Sequence, residues 1–475
     1  DKIDHFHSKP LMSMKRLRLI GISAAAALGG LLFGSDTGVI NGAQFHFTEH
    51  FGLSPAAKGF VVSSALLGCL AGALVAGPMS ARFGRRWSLR WAGVLFLVSA
   101  IGSGLPEPLP QSIPLLVIFR LIGGLAIGLA SMNAPLYIAE LAPAQHRGVL
   151  VTIYQLAIVL GFFLVFLTTY AIGNELTEAE NTAFGWRWMF WSEIFPAGGF
   201  LMLMFFVPRS PRWLLMKGQT QEAATTIAQL HGEARQRTMI EDIQRSITRD
   251  AQAASSSPWA PAFRWVLFLG VAMSVLQQTT GINAVLYYGA DIFEQALGFG
   301  KEEVLKQQLL LAGVNLLFTF VAMYTVDRTG RKPLILWGSV GMFAGFGLLT
   351  FTLMTQQVGL LSLIGVLMFI GAFALSMGPV TWVLLSEIFP NRIRSAAMGI
   401  AVAAQWAANF AVSQAFPVIA ESQTNAAAPW HGALPYWIFM AFIAFLLFFS
   451  WKYIPETKSK SLEDLEATFV SLKGI

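Results

Sequence analysis

Cysteine is nearly absent from this 475-residue chain: the single one, Cys69, sits in an apolar run, which excludes an intrachain disulfide and offers no metal cluster. Charge is scarce too, at 12% of residues. The seven histidines are scattered without metal-ligand spacing, and no glycine-rich loop has the Walker A pattern. A metal centre, a cofactor, ATP-driven transport and membrane hydrolysis are therefore not expected. A cleavable secretory signal is not expected either. The start "DKIDHFHSKPLMSMKRLR" is polar and basic, and the apolar stretch behind it has spanning length with no small-residue cleavage pattern, so the first apolar segment is expected to be retained.

What the chain has is apolar residues, 55% of the total, more than a soluble core of this size could hide. That composition predicts an all-α polytopic membrane protein. The net charge of +6 lies in short basic clusters between apolar runs, where it sets topology rather than binding nucleic acid. Twelve spans are predicted, near 18-47, 58-80, 88-106, 114-139, 149-173, 186-207, 263-290, 305-326, 333-354, 359-385, 395-420 and 434-454. Connectors after even-numbered spans are basic: "RFGRRWSLR", "AQHRG", "DRTGRKP" and "NRIRS". Loops on the other side are acidic or uncharged, as in "NELTEAEN" and "TQQVG". The basic side is then cytoplasmic and so are both termini, in a plasma or bacterial inner membrane. The expected organisation is a cytoplasmic segment 1-17, a six-helix half 18-207, a cytoplasmic helical linker 208-261, a second half 262-454 and a cytoplasmic tail 455-475.

The halves repeat one another. "RFGRR" at 82 matches "RTGRK" at 328, an offset of 246, and Glu140, Pro143 and Arg147 match Glu387, Pro390 and Arg394, an offset of 247. Six spans return the chain to the same membrane side, so the two halves have parallel topology about an axis along the membrane normal, with a central cavity between them. At the basic ends of the spans and the start of the linker, Arg82, Arg85, Arg86, Glu140, Arg147, Arg209, Arg212, Arg328, Arg331, Glu387 and Arg394 form a candidate cytoplasmic latch built on ion pairs and helix ends. The competing reading of those arginines is topology alone.

One acid breaks the first span. From Leu19 to Thr48 no residue but Asp36 carries a formal charge, and a charge at bilayer depth costs about 3 kcal/mol or more. Such an acid is a functional candidate with a partner in the bundle, and Arg120 in "IFRLIGGLAIG" is the obvious one. Neutral hydrogen-bonding groups recur in other spans: Gln155, then Gln277, Gln278 and Asn283 about Gly281 with Tyr287 and Tyr288 one turn on, then Asn315, Trp382 and Gln405 beside Trp406. A neutral ligand rich in hydroxyls and apolar C–H faces calls for such amides and aromatic planes. Amides that only join helices are the alternative.

"PMSARFGRR", the duplicated "AELAPAQHRG" and "SEIFPNRIRS", "PRSPRWLL", "QQTTGINAVLYYG", "GPVTWVLLSE" and "PETKSKSLEDLE" stand in an order that resembles the sugar porter family of the major facilitator superfamily, over about residues 17 to 466. The chain is especially similar to bacterial proton-coupled pentose and hexose symporters and to facilitative glucose transporters. The resemblance implies an alternating-access monosaccharide transporter, working as a monomer and not as an enzyme. It places Gln155, Gln277, Gln278, Asn283, Asn315, Trp382 and Gln405 on the sugar, and Phe33, Phe162, Tyr287, Tyr288 and Trp406 as lining or gate. It also makes Asp36 and Arg120 a proton-coupling pair. A facilitator with a static pair and a non-transporting sugar sensor are the alternatives. The sequence departs from the family at Ala81, where Asp or Asn is usual, at Arg209 beside Arg212, where the usual motif reads "PESPR", and at Phe162, Met377 and Ser459.

Overall fold

The computed structural model describes residues 14–142, 147–253, 259–261, 263–296, 301–389 and 393–458. The first half consists of α1 (Met14–Phe51), α2 (Pro55–Phe83), α3 (Arg85–Ser103), α4 (Ile113–Leu141), α5 (Arg147–Glu175) and α6 (Glu178–Phe206). Three linker helices follow: α7 (Pro211–Met216), α8 (Thr220–His231) and α9 (Glu233–Ala253). The second half consists of α10, broken into Arg264–Thr279 and Ile282–Tyr287, α11 (Lys301–Thr329), α12 (Arg331–Met354), α13, broken into Leu360–Leu375 and Met377–Ile388, α14 (Arg394–Ala420) and α15 (Leu434–Tyr453).

Eleven helices among the described residues are long and apolar enough to cross a membrane. The twelfth, α3, falls short because Arg85, Arg86 and Arg90 occupy its first two turns. It also starts three residues before its expected position, since Gly84 ends α2 at φ +92° and opens α3 at once. Those arginines have work at that end: Arg86 donates to the Val207 carbonyl at 3.1 Å and Arg90 to the Met204 carbonyl at 3.0 Å. They thereby satisfy carbonyls that the end of α6 leaves without intrahelical partners.

Within the first half α1 crosses α5 and α2 crosses α4. A Cβ on Gly34 would stand 2.0 Å from the Ile158 carbonyl oxygen, so only glycine lets α1 and α5 approach this closely. The halves meet where α2 packs on α14 and α5 on α11, two contacts that the internal repeat exchanges. The linker docks on the first half: Trp213 Nε1 donates to the Ala81 carbonyl at 3.2 Å, and Tyr137 Oη to the Pro208 carbonyl at 2.6 Å. One end of the bundle thus carries the linker, and the other is the far end.

Candidate functional site

Two helix breaks shape the centre of the second half. Gly281 takes φ +88°, a conformation that strains any residue with a Cβ, and so parts the two pieces of α10. Ser376 parts the pieces of α13. Gln277 joins the breaks, its Nε2 donating to the Met377 carbonyl at 2.9 Å. Gln278 then donates to Gln277 Oε1 at 3.2 Å and accepts from Asn283 Nδ2. This amide relay fixes three side chains while leaving hydrogen-bonding capacity on each.

A cavity of about 110 Å³ lies against that relay. Gln277, Gln278 and Asn283 of α10 line it, joined by Gln155 of α5, Asn315 of α11, Trp382 of α13 and Gln405 of α14. Phe33, Phe162 and Trp406 complete its aromatic wall; the Phe33 and Trp406 rings, from opposite halves, meet edge to face at 5.5 Å. No charged side chain lines it among the described residues. Gln405 Oε1 and Trp406 Nε1, an acceptor and a donor, are buried without partners among the described residues. Sequence reasoning missed Asn409 and Thr319, which also line the cavity. The signal was available: each stands four residues beyond a lining amide, on the same helix face.

Asp36 and Arg120 are outside this cavity. Arg120 Nη1 lies 3.1 Å from Asp36 Oδ2, and both residues are buried, at 2% and 3% exposure. Cys69 and Tyr287 share their small pocket. The Tyr287 hydroxyl accepts from Asn409 Nδ2 at 3.2 Å, so one hydrogen bond links the ion pair's pocket to the larger cavity. Tyr288 reaches neither: its ring stacks on Phe416, and its hydroxyl donates to the Ser413 carbonyl at 2.8 Å. A second buried acid, Glu193, escaped the sequence reading although it too interrupts an apolar run. It sits at a kink in α6, within electrostatic reach of Asp36 and Arg120, and its Oε1 has no partner among the described residues.

At the far end the halves are pinned together. Asn41 Nδ2 donates to the Leu286 carbonyl at 2.8 Å, the Ala290 amide to Asn41 Oδ1 at 3.0 Å, and Gln44 Nε2 to the Tyr287 carbonyl at 2.7 Å. Lys58 bridges Asp291 at 2.8 Å and Glu421 at 2.9 Å. Lys58→Met would leave Asp291 buried without its counter-ion, at a cost of about 3–5 kcal/mol in the closed arrangement. The mutant should therefore open at the far end, seen as faster labelling of a cysteine engineered beside Gln44.

At the linker end the candidate latch residues pair within their own halves. Arg85 meets Glu140 at 2.8 Å, and Arg331 meets Glu387 at 2.8 Å. Ser210 and Thr457 donate hydroxyls to the same two carboxylates. Arg82 lies over the Phe83 ring and Arg328 over Tyr324. Arg212 belongs to α7, while the side chains of Arg147 and Arg394 lie outside the described residues. Ser459 lies outside them as well.

One pairing departs from the repeat. Glu456 accepts from the Arg331 and Lys332 backbone amides, at 3.0 and 3.1 Å, and so caps α12 from outside the helix. Its counterpart before Ser210 is Arg209, which instead meets Glu222 at 3.3 Å with both side chains exposed. A cation near the start of α3 opposes the helix dipole. Arg209→Glu should add about 0.3–1 kcal/mol, since the exposed pair it gives up is worth little. A thermal melt should rise by no more than about one degree in a chain of this size, so the sharper readout is a far-end cysteine, which should label faster as the linker end gains closing contacts.

The model of the sugar (and other) transporter family matches residues 22–469. The D-xylose-proton symporter of Escherichia coli K12 is 42% identical over 471 residues, covering 94% of this chain and 95% of that protein. The glucose facilitated diffusion protein of Zymomonas mobilis is 37% identical, covering 95% and 98%. A solved structure of the xylose transporter XylE from E. coli, in an inward open conformation, is 40% identical. It superposes with a TM-score of 0.83, covering 95% of this chain and 99% of that one.

Proposed function

The chain belongs to the sugar transporter family, and on that premise we propose that it carries a monosaccharide by alternating access together with a proton. Gln155, Gln277, Gln278, Asn283, Asn315, Trp382 and Gln405 bind the sugar, and Asp36 with Arg120 carries the coupling. The observation behind this reading is the separation of two chemistries. Neutral amides and aromatic planes surround one cavity, a buried ion pair stands in another, and Tyr287 with Asn409 connects them.

Sugar and proton then need not compete for the same atoms. A carboxylate paired with arginine holds its charge, and a buried one that loses its partner takes up a proton. Sugar contact with Asn409 would reach Asp36 through Tyr287. The linker end faces the cytoplasm, as its arginines require, so both termini do too and the far end is external. A single copy in a cell membrane is sufficient, because both halves of the cavity come from one chain.

Facilitated diffusion is the second reading, favoured by the likeness to the Zymomonas protein and by the closed Asp36–Arg120 pair. Proteoliposomes tested with D-xylose, L-arabinose and D-glucose, with and without an imposed proton gradient, separate the two. Symport gives accumulation above the external concentration only with the gradient. Equilibration that ignores the gradient supports facilitated diffusion.

A further inference from the structure

A second cavity, of about 550 Å³, opens at the far end above the pinned contacts between Asn41, Gln44 and α10. Several residues that line it carry polar atoms that are buried and have no hydrogen-bond partner among the described residues. Gln308 on α11 is 1% exposed, and neither its Oε1 nor its Nε2 has a hydrogen-bond partner among the described residues. The same holds for Thr48 Oγ1 on α1, Asn181 Oδ1 on α6 and Asp291 Oδ1 beyond α10. Each such atom, desolvated and unpaired, is unfavourable, and buried polar groups in folded proteins nearly always have partners. Here four residues that carry such atoms line one space, two from each half.

Resting on the sugar-carrier reading above, we propose that this vestibule is a second, weaker binding site for neutral polyhydroxyl compounds, the monosaccharide itself among them, separate from the central cavity. The wall is charged as well as polar, with Glu49, Glu178, Asp291, Glu294, Glu421 and Lys58 on it, and its carboxylates accept from hydroxyls as amide oxygens do. Gln308 offers both a donor and an acceptor, Thr48 a hydroxyl that does either, and Asn181 and Asp291 acceptors, which suits hydroxyl groups. Phe45 adds an apolar surface for sugar C–H faces. A metal ion fits less well: among the described residues no three His, Cys, Asp or Glu side chains gather as ligands, and the inner carboxylates, Asp291 and Glu421, already hold Lys58. Because the wall draws on both halves, a sugar bound there ties them together in the closed arrangement of the far end.

Equilibrium binding of radiolabelled D-xylose and D-glucose to the full-length protein in nanodiscs tests the site. Two classes of binding are expected for at least one of these sugars. Gln308→Leu should weaken the weaker class at least about fivefold and spare the tighter one, whereas Gln278→Ala should do the reverse. Thr48→Val, nearly isosteric, should weaken the same class as Gln308→Leu and serves if that variant folds poorly. A single class that Gln278→Ala removes and neither vestibule variant affects overturns the vestibule site and leaves the central one standing. Binding that the vestibule variants weaken and Gln278→Ala does not overturns the central assignment instead. Gln308-dependent retention of radiolabelled sodium or calcium, with no Gln308-dependent sugar binding, overturns the proposed ligand class.

Discussion

Asp36→Asn should abolish sugar accumulation against a gradient while leaving sugar binding and counterflow close to those of the unmodified protein. Asparagine keeps the shape of the protonated acid and an oxygen that can accept from Arg120 Nη1, now 3.1 Å from the Asp36 carboxylate. It cannot exchange a proton, so conformational cycling with sugar remains and the link to the proton gradient is lost. The amide-lined cavity has no direct share in the change, since Asp36 lines a different pocket. The measurement is uptake into proteoliposomes under an inward proton gradient. The ratio of internal to external sugar should fall to one in the mutant and exceed one in the unmodified protein. A mutant that still concentrates sugar would move the coupling elsewhere, and Glu193 would be the next acid to substitute, being buried within electrostatic reach of the same pair.

Gln278→Ala should weaken sugar binding by roughly 5- to 150-fold, the equivalent of about 1–3 kcal/mol. Gln278 is the middle of the relay: it donates to Gln277 and accepts from Asn283, so alanine removes the contact proposed to the sugar and frees both neighbours to reorient. Gln277 keeps its bond to the Met377 carbonyl, and the two helix breaks stay joined. Folding should therefore survive. Gln155→Ala and Gln405→Ala, each removing one amide from the cavity wall without disturbing a relay, should have smaller effects. Titration of purified protein with its best sugar decides the matter: unchanged affinity in all three variants would remove the pocket assignment.

The architecture was legible because membrane folding leaves strong marks on a sequence. Apolar runs of spanning length mark the helices, arginine clusters mark one side, and a register of 246 to 247 residues exposes the duplication. The residue types of the central cavity were legible for a related reason: an amide within an apolar helix must find a partner, and seven such amides or tryptophans on five spans have few places to meet. The span that falls short of the apolar length of the other eleven was the hardest to place. Three arginines in the first turns of α3 look like a loop until the carbonyls at the end of α6 are seen to need them.

What the sequence determined by itself was the inventory: which helices cross, which side carries the charge, and which side chains are too polar for lipid. Only the tertiary structure decided how that inventory divides. It put Asp36 in one pocket and the amides in another, joined them through Tyr287 and Asn409, and turned Tyr288, the neighbour of Tyr287, into packing against Phe416. It kept the Arg85–Glu140 and Arg331–Glu387 pairs inside their own halves, while Lys58 reached across to Asp291 and Glu421. Adjacent residues on a helix point about 100° apart, and contacts between spans separated by hundreds of residues depend on crossing angles and on breaks such as the one at Gly281. No local pattern in the chain encodes those angles; they follow from how all twelve helices pack at once.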